Sequence, residues 1–360
     1  MKMEALSQLL SNHIEMHPAR RSLFVGMVFA MLQVGKSTLK GLAEGISSKS
    51  SKESKIRKIQ TFFKEQKIDW IAAGLVIVML LGISDKVKII LDRTNWKYGK
   101  SNINYFVASI EFFGTAIPLC WILLDKRGNS STTERIQLME MVFKIISPDR
   151  IECLLADREF IGDEWFDWLD SKQIPFVIRI KENFVVYDAE ENSNCGIPLA
   201  LLFASLKKNK IKTVEVNMWG KMRKISAKRL NDGSLLILTT NLLLSGEALC
   251  DLYKQRWAIE TIFKALKTKG FNIEDSHMIN LEKRSKLFFI ATLAAIIAIK
   301  SGLIYHQKKP IIVKNHGRSL LSFFSYGLDY LRFNLFKNTS QCLDRFLKKV
   351  FQLNLFYQLC

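Results

Sequence analysis

Three carboxylates in this sequence have the type and setting that can bind divalent cations. Asp92 follows the apolar run in KIILDRTNWKYG and Asp157 the one in IECLLADREFIG, so each stands where a predicted strand gives way to a loop. Glu260 lies on a predicted helix. A single aspartate at a strand end is usually a turn or cap residue. Three converging carboxylates repel one another unless cations hold them, and Mg²⁺ or Mn²⁺ accepts such ligands and supports in-line attack on phosphate.

The stretch DLYKQRWAIETIFKALKTKG, residues 251–270, predicts a single amphipathic helix that carries Glu260. At about 100° per residue, one narrow sector of this helix holds four polar side chains, flanked by two more: Tyr253, Arg256, Glu260 and Lys267, then Trp257 and Lys264. Apolar residues gather on another side, so the helix can be buried there. An ordinary surface helix with an ion pair between Glu260 and Lys264 has the same pattern.

Strands and helices alternate around the two aspartates. Three predicted strands, KVKIILD, INYFVASIEFF and TAIPLCWILLD, are followed by a helix over 131–146, a fourth strand, RIECLLAD, and a helix near 162–171. This alternation predicts an α/β sheet with helices on its faces. The ends of its strands are where we expect the chemistry.

The regions on either side of this sheet have a different character. Residues 1–70 predict helices separated by a Ser/Lys linker, SSKSSKESK. Residues 174–240 contain short strand-like pieces (IPFVIRIK, TVEVNMW and SLLILTT), which predict a β-rich insertion. The chain closes with helices predicted over 281–301, 318–337 and 340–352.

Positive charge is concentrated in the insertion. Residues 205–230 hold nine Lys and Arg and a single acid, Glu215. Lysines that protect a sheet edge and a groove that tracks phosphates explain this stretch equally well. Arg179 and Lys181 alternate along IPFVIRIK and therefore share a strand face, which suits contact with a nucleic-acid backbone but also any exposed strand.

The composition favours a folded, basic protein. The chain of 360 residues is 48% hydrophobic, and 53 Lys and Arg against 34 Asp and Glu give a net charge of +19. That excess attracts polyanions, either nucleic acid or an anionic membrane surface. Six widely separated cysteines without a CxxC pair predict neither a disulfide framework nor structural zinc, and the N-terminus lacks the apolar core of a secretory signal. We therefore expect a cytoplasmic location.

Three apolar runs test the membrane alternative. Residues 71–83 and 287–299 are shorter than the roughly 20 residues that a spanning helix needs. Residues 104–124 are long enough, but Glu111 and Pro118 interrupt them, which favours two buried strands joined by a turn. We therefore predict no membrane-spanning segment.

Three blocks of the sequence resemble, in the right order, those of the DDE transposases of bacterial insertion sequences. More narrowly, Tyr253, Arg256, Glu260 and Lys267 match the spacing of the insertion-sequence-four family: Tyr, two residues, Arg, three residues, Glu, six residues, Lys. DRTNWK resembles the family's first-aspartate block and LLADREF its second. The resemblance covers the chain from about residue 86 to residue 270.

The resemblance implies a ribonuclease H-like catalytic core, of α/β class, with a metal-binding triad formed by Asp92, Asp157 and Glu260. Mg²⁺ is the implied cofactor, and Mn²⁺ its substitute. The implied partner is double-stranded DNA, both the inverted-repeat ends of the element and the target, and the pairing of two ends implies a homodimer.

Seven side chains are candidates for contact with DNA. The resemblance implies that Tyr253, Arg256 and Lys267 contact phosphates near the cleavage site and that Trp257 stacks or packs beside a displaced base. The planar fork of Arg256 suits phosphate, and the ammonium of Lys267 supplies a point charge. We add three further basic residues, Lys264, Arg179 and Lys181.

The domain organisation follows from these assignments. We expect five segments: a helical DNA-binding region over 1–70, the first part of the core over 71–173, the β-rich insertion over 174–245, the motif helix of the core over 246–275 and a helical region over 276–360. Three alternatives remain for the function: a metal-dependent nuclease on the same fold, a non-catalytic DNA-binding repressor derived from a transposase, and a membrane protein.

Overall fold

A computed structural model describes residues 4–98, 101–126, 128–187, 196–315, 317, 319–336 and 340–352. The chain forms two compact units. The first, called the helical unit, comprises the described residues of Met1–Ser84, Asn95–Ile103 and Ile262–Cys360. The second, called the sheet unit, comprises those of Asp85–Thr94 and Asn104–Thr261.

The described helices are, in chain order, α1 (Glu4–His13), α2 (Pro18–Val34), α3 (Leu39–Gly45), α4 (Lys52–Glu65), α5 (Trp70–Leu81), α6 (Thr132–Ile145), α7 (Asp163–Ser171), α8 (Leu199–Leu202), α9 (Gly246–Lys254), α10 (Ala258–Lys264), α11 (Leu281–Lys308), α12 (Phe323–Phe336) and α13 (Ser340–Gln352). Short 3₁₀ helices cover Pro148–Arg150, Gln255–Trp257 and Ile273–Ser276, and a π-helical turn covers Ala265–Lys269.

The described strands are β1 (Val87–Tyr98), β2 (Ser101–Phe112), β3 (Thr115–Leu123), β4 (Ile151–Ala156), β5 (Phe176–Ile180), β6 (Val185–Val186), β7 (Ile197–Pro198), β8 (Ile211–Met218), β9 (Lys221–Arg229) and β10 (Leu235–Thr240). Eight of them form one sheet in the order β3-β2-β1-β4-β5-β10-β9-β8, and β6 pairs with β7. β1, β4 and β5 are parallel, whereas β10 runs antiparallel to β5. The predicted fold class is confirmed: a mixed sheet flanked by helices, with helical regions at both ends.

The apolar run over 104–124 forms two antiparallel strands, β2 and β3, as the sequence predicts. Phe113 and Gly114 at the turn both have positive φ, of 49° and 72°, the combination that fits the twist of a two-residue hairpin. Pro118 lies in the edge strand β3, next to an irregularity in the pairing with β2. An edge strand tolerates a proline because no further strand needs its missing N–H group.

The sheet extends further into residues 174–240 than the sequence indicates. The piece IPFVIRIK, grouped above with the insertion, supplies β5, which pairs in parallel with β4 and continues the α/β sheet. β8, β9 and β10 then extend the same sheet instead of forming a separate one. The sequence does not reveal β9, because Lys221–Arg229 is rich in Lys and Arg, although its central residues are buried.

Several helix boundaries differ from the sequence prediction. The predicted linker SSKSSKESK is helical in its last four residues, which form the first turn of α4. The helix is capped by Ser51, whose side chain accepts a hydrogen bond from the amide of Ser54. Serine is a strong N-cap residue, which explains the early start of the helix. At the other end of the chain, α12 begins at Phe323, several residues after the predicted start at 318.

The core of the helical unit is built around α11, which contacts α2, α4, α5, α12 and α13. α11 and α12 approach closely at two glycines: a Cβ atom on Gly302 would lie 2.0 Å from the carbonyl oxygen of Phe323, and one on Gly327 would lie 1.8 Å from that of Ala298. Only glycine allows backbones to pack at such a distance.

Two buried lysines of α11 hold the ends of neighbouring helices. Lys286 Nζ donates to the carbonyl of Phe63 at 3.0 Å, in the last turn of α4, and Lys300 Nζ donates to that of Leu80 at 2.7 Å, in the last turn of α5. The last carbonyls of a helix lack partners within the helix, and a cation near them is favourable. The polar groups that interrupt the apolar run of α11 therefore have a structural use.

One described helix, α11, has the length and apolar composition that a bilayer span requires, and its apolar window is buried throughout inside the protein. A second would be counted only if α2 and α3, which meet at an angle of 94°, formed one span. The prediction that the run over 287–299 is too short to span was wrong about length, because LEKRSK and the residues after 299 extend the helix to 28 residues.

Lys300 offers a pH-dependent test of this packing. Burial lowers the pKa of its ammonium group to about 8, against about 10.4 in an unfolded chain. Between these values the unfolded chain binds more protons than the folded chain, so Lys300 makes the free energy of unfolding rise with pH. We expect the difference in Tm between wild type and Lys300→Met to shift in favour of wild type between about pH 8 and pH 10.

The measurement is thermal unfolding followed by circular dichroism. Lys308→Met provides the control, because Lys308 is an exposed lysine at the end of the same helix. A Tm difference for Lys300→Met that stays constant across this pH range contradicts the argument.

Candidate active site

Asp92 and Asp157 lie side by side on neighbouring parallel strands. The last registered pair of β1 and β4 is Leu91 with Ala156, and each aspartate is the next residue of its chain segment. Each side chain accepts a hydrogen bond from the following backbone amide, at 2.8 Å from Arg93 and at 2.7 Å from Arg158. Asp157 follows β4 directly, as predicted, whereas Asp92 lies within β1, which continues to Tyr98 alongside β2.

Arg256 connects Asp92 with Glu260. Its Nη1 atom lies 3.3 Å from Oδ2 of Asp92, and its Nη2 atom lies 2.6 Å from Oε1 of Glu260. The Arg256 side chain is 6% exposed and that of Glu260 is 60% exposed, so the guanidinium is buried and the glutamate reaches solvent. The charge of Asp157 acts on both Asp92 and Arg256. Arg256 therefore pairs with two of the three predicted carboxylates, and the charge of the third, Asp157, reaches it.

The backbone that carries Arg256 and Glu260 is not the single regular helix that the sequence predicts. α9 ends at Lys254, a 3₁₀ turn covers Gln255–Trp257, α10 follows, and a π-helical turn covers Ala265–Lys269. Such irregular turns change which side chains share a face, and π turns often occur at functional sites. Glu260 pairs with Arg256, four residues before it, so an i, i+4 ion pair is present, although it is not the one with Lys264.

The pKa of Asp92 is raised from 3.8 to about 6, chiefly because burial disfavours its charged form. Arg256 and the amide of Arg93 oppose this effect, and the charges of Glu159 and Asp157 add to it. Asp92 is thus an anion at neutral pH, but its charge is held in a poorly solvated place. Such a carboxylate gains most when a cation is nearby.

Tyr253 lies next to Arg256 on the buried side of the site. It is 3% exposed, and the guanidinium of Arg256 lies 5.8 Å from the centre of its ring. Burial raises the pKa of its phenol, and the charges of Arg256, Asp157 and Arg179 all reach it. Its buried hydroxyl makes no geometrically complete hydrogen bond with the described residues. Trp257, in contrast, is 60% exposed.

Lys264 and Lys267 belong to the helical unit. Lys264 is exposed. Lys267 lies 3.0 Å from Glu274, donates to the carbonyl of Asn95 at 3.1 Å and lies 5.4 Å from the ring centre of Trp96. The ammonium group that the sequence assigns to DNA is therefore already engaged in an ion pair.

Sequence reasoning missed the ion pair that ties the two aspartate-bearing segments together. Arg93 Nε and Nη2 lie 2.5 Å and 2.7 Å from the two carboxylate oxygens of Glu159, and the side chains are 12% and 20% exposed. The Arg93 fork also donates to the carbonyl of Gly128 and, at 3.0 Å, to the side chain of Asn129. Arg93 follows Asp92 and Glu159 stands two residues after Asp157, so opposite charges beside both aspartates were the available signal.

A second arginine, Arg135, forms hydrogen bonds with the backbone of the same segment. Arg135 on α6 is 5% exposed and donates to the carbonyls of Ser130, Glu159 and Ile161 at 3.0, 2.6 and 3.2 Å. Backbone carbonyls held in this way fix the loop that follows Asp157. Arg93, which pairs with the Glu159 carboxylate, and Arg135, which donates to the Glu159 carbonyl, thus set the position of this loop.

Many basic groups of the insertion have structural roles. Arg223 pairs with Asp170, Lys221 lies 2.6 Å from Asp167, and Arg229 donates to carbonyls of Phe203 and Gly233, among others. The edge strand β8 carries the exposed Lys212. The structure therefore favours edge protection and internal bonding for much of this stretch. Arg179 and Lys181 differ, because they line a pocket together with Arg158.

The chain matches a protein-family profile and is similar to solved structures. The sequence profile described as "Transposase DDE domain" matches residues 83–297, which is more than half of the chain. The chain belongs to the transposase DDE domain family. Among solved structures, it is similar to a piggyBac transposase in a synaptic complex with hairpin DNA, at 11% identity and a TM-score of 0.51, over 93% of this chain and 77% of that one. At this identity the likeness shows the fold alone. No curated protein sequence matches the chain significantly.

The donor set of this DDE domain fits a hard divalent cation. Asp92, Asp157 and Glu260 offer only carboxylate oxygens, which Mg²⁺ and Mn²⁺ prefer. In the described part of the chain, no three acidic, His or Cys side chains are placed to hold a metal between them. Glu260 is instead paired with Arg256.

Asp92 should cost stability when it is ionised in the absence of a divalent cation. Its folded pKa of about 6 exceeds its ordinary value of 3.8, so between these values the folded chain binds more protons and the free energy of unfolding falls as pH rises. We expect Asp92→Asn to raise Tm by a few degrees above pH 6 in EDTA, and progressively less as pH falls towards 4. Thermal unfolding across this range is the measurement, and a Tm gain that does not depend on pH would refute the argument.

The pair of Arg93 and Glu159 should be energetically coupled. Removing one partner leaves a largely buried charge without its counterion, whereas removing both does not. We expect Arg93→Gln and Glu159→Gln each to destabilise the fold, and the double variant to be no worse than either, with a coupling energy of about 1 to 3 kcal/mol.

A urea-unfolding double-mutant cycle measures this coupling. Arg158→Gln is the matched control, because Arg158 follows Asp157 as Arg93 follows Asp92 but is exposed. We expect it to change the free energy of unfolding by less than about 0.5 kcal/mol. Additive effects of the Arg93 and Glu159 substitutions would show that the pair does not tie the two segments together.

Proposed function

We propose that this protein is a DNA transposase of the insertion-sequence type, which cleaves DNA at the ends of its element and joins them to a target. The observation that supports this most is the buried Arg256, which pairs with Asp92 and Glu260 and is influenced by the charge of Asp157, in a chain that belongs to the transposase DDE domain family. The spacing of Tyr253, Arg256, Glu260 and Lys267 supports placement in the insertion-sequence-four group.

We assign cation binding to Asp92, Asp157 and Glu260, with Mg²⁺ as the cofactor and Mn²⁺ as its substitute. Transposases of the DDE type generally use divalent ions, and an ion there supplies Lewis-acid activation of the attacking hydroxyl and neutralises charge on the phosphate. The sequence of the ranges that form the sheet unit, Asp85–Thr94 and Asn104–Thr261, contains no histidine. The side chain that most often serves as general base near neutral pH is therefore missing from this unit.

The guanidinium of Arg256 has two roles in this proposal. Without DNA, Arg256 neutralises Asp92 and Glu260. When a phosphate enters, the planar fork of Arg256 binds it and releases the carboxylates. Tyr253, whose buried hydroxyl lies next to this arginine, is available as a donor to the same phosphate. The guanidinium thereby links the arrival of DNA to the freedom of the acidic side chains.

The remaining contacts with DNA are assigned on weaker grounds. The exposed ring of Trp257 is available for a displaced base, a contact worth roughly 1 to 3 kcal/mol. Lys264 is exposed, whereas Lys267 must exchange Glu274 for a phosphate. We assign Arg179 and Lys181 to the DNA backbone as well. The proposal also includes a homodimer that pairs two ends of the element. Its DNA partners are the inverted repeats and the target, and its location is the cytoplasm.

Glu260 allows cleavage to be separated from binding. We expect Glu260→Gln to lower the cleavage rate by roughly 100-fold or more, because an oxygen ligand of the cation loses its charge. Binding should change little, because Glu260 is largely exposed and Arg256 stays free for phosphate. The substrate is a duplex with the inverted repeats that flank the gene, assayed with Mg²⁺ for cleavage and with EDTA for binding. Glu247→Gln, an exposed glutamate on α9, is the control. Cleavage at the wild-type rate by Glu260→Gln would overturn the site.

Strand transfer distinguishes a transposase from a nuclease on the same fold. A pre-cut end with a free 3′-hydroxyl is supplied together with a target plasmid and Mg²⁺. We expect joined products from wild type and none from Glu260→Gln. Cleavage of uncut ends without any joining would favour the nuclease, and binding without either reaction would favour the repressor.

A further inference from the structure

A pocket of about 430 Å³ in the sheet unit is lined by three cationic side chains, Arg158, Arg179 and Lys181, and by a single carboxylate, Glu182. Arg158 follows Asp157, and the other two stand at the carboxyl end of β5 and directly after it. Asn183 and Ser234 add polar groups to its wall. The pocket therefore carries an excess of two positive charges beside Asp157.

These three cations differ from the other arginines around the site. Arg93, Arg135, Arg223 and Arg256 are each engaged by a carboxylate or by backbone carbonyls. Among the described residues, no ion pair or side-chain hydrogen bond engages Arg158, Arg179 or Lys181. Like charges that line one pocket repel, and among the described residues the pocket offers them a single carboxylate, Glu182. An anion from outside the chain would therefore bind favourably there.

The sheet fixes where this anion lies relative to the carboxylates. β4 and β5 are parallel, and their last registered pair is Ala156 with Ile178, so Asp157 and Arg179 are each the next residue. Neighbouring strands are ~4.8 Å apart, which puts the pocket one strand spacing from Asp157. The charge of Arg179 also reaches Tyr253. An anion held here is therefore adjacent to, and distinct from, one held between the carboxylates and Arg256.

We propose that the pocket of Arg158, Arg179 and Lys181 binds the DNA backbone phosphate next to the scissile one, with room for the attached nucleoside. This inference rests on the proposed function, and it adds which phosphate of the DNA strand the pocket binds. Arginine forks bind phosphate oxygens in pairs, and Lys181 adds a point charge. Two neighbouring phosphates held by separate cation sets set the scissile bond in register with Asp157. Arg158 becomes a DNA-binding residue that the motif spacing does not indicate.

The experiment is a cycle between protein and DNA variants. Inverted-repeat duplexes with one neutral methylphosphonate at each of the phosphates around the cleavage position are titrated with full-length protein in EDTA, by fluorescence anisotropy. We expect one position beside the scissile phosphate to weaken wild-type binding about 5- to 10-fold and to have no further effect on Arg179→Gln or Arg158→Gln. Each of these variants should also lower the slope of log affinity against log salt by about 1.

Lys144→Gln is the matched control, since Lys144 is an exposed lysine on α6 in the same unit and its loss removes the same charge. We expect it to leave the methylphosphonate pattern unchanged. Circular dichroism confirms that each variant is folded. If the effects of Arg179→Gln and of every methylphosphonate are additive, the pocket does not bind the neighbouring phosphate. If wild type prefers the inverted repeats no more than random DNA, the proposed function fails instead.

Discussion

Carboxylates that lie close together repel one another, and in this protein the buried Arg256 guanidinium pairs with both the poorly solvated Asp92 and the exposed Glu260. Burial raises the pKa of Asp92 even though Arg256 is nearby, so the site still has a deficit of positive charge. A site of this kind is stable enough to fold and still gains from a further cation. The chemistry proposed for the transposase depends on that deficit of positive charge around Asp92.

The pairing of strands in the sheet, and not the local sequence, brings the charged groups of the site together. Parallel pairing of β1 with β4 puts the two aspartates next to each other, and parallel pairing of β4 with β5 puts Arg179 next to Asp157. The loops beyond these strands are held by Arg93, Glu159 and Arg135, which are buried or largely buried. Because interior side chains pack tightly, such a frame holds its groups in fixed positions. Arg93, Arg135 and Arg256 are engaged by carboxylates or backbone carbonyls, whereas Arg158, Arg179 and Lys181 line the pocket without an ion pair among the described residues.

The helical segment that carries Arg256 and Glu260 departs from regular geometry on both sides of the glutamate. A 3₁₀ turn tightens the backbone at Arg256, and a π turn widens it after Lys264. Regular helix geometry therefore does not predict how Glu260 and Lys267 are oriented with respect to each other. The contacts of Lys267 with Glu274, Asn95 and Trp96 illustrate the result.

The sequence by itself determined the element types and the fold class, since hydrophobic period, turn residues and caps are local signals. It identified the strands before Asp92 and Asp157, the hairpin over 104–124 and most helices to within a few residues. It also identified the three carboxylates as a set, through their setting and their resemblance to a known family. Tertiary structure alone decided that IPFVIRIK belongs to the main sheet, that KMRKISAKR forms a strand, and that Arg93 pairs with Glu159. It also decided that Glu260 is held by Arg256 and that Arg158 lines a pocket with Arg179. Each of these outcomes depends on which residues distant in the chain become neighbours, and the free energy of burial and of charge pairing depends on those neighbours, not on the residue's own place in the sequence.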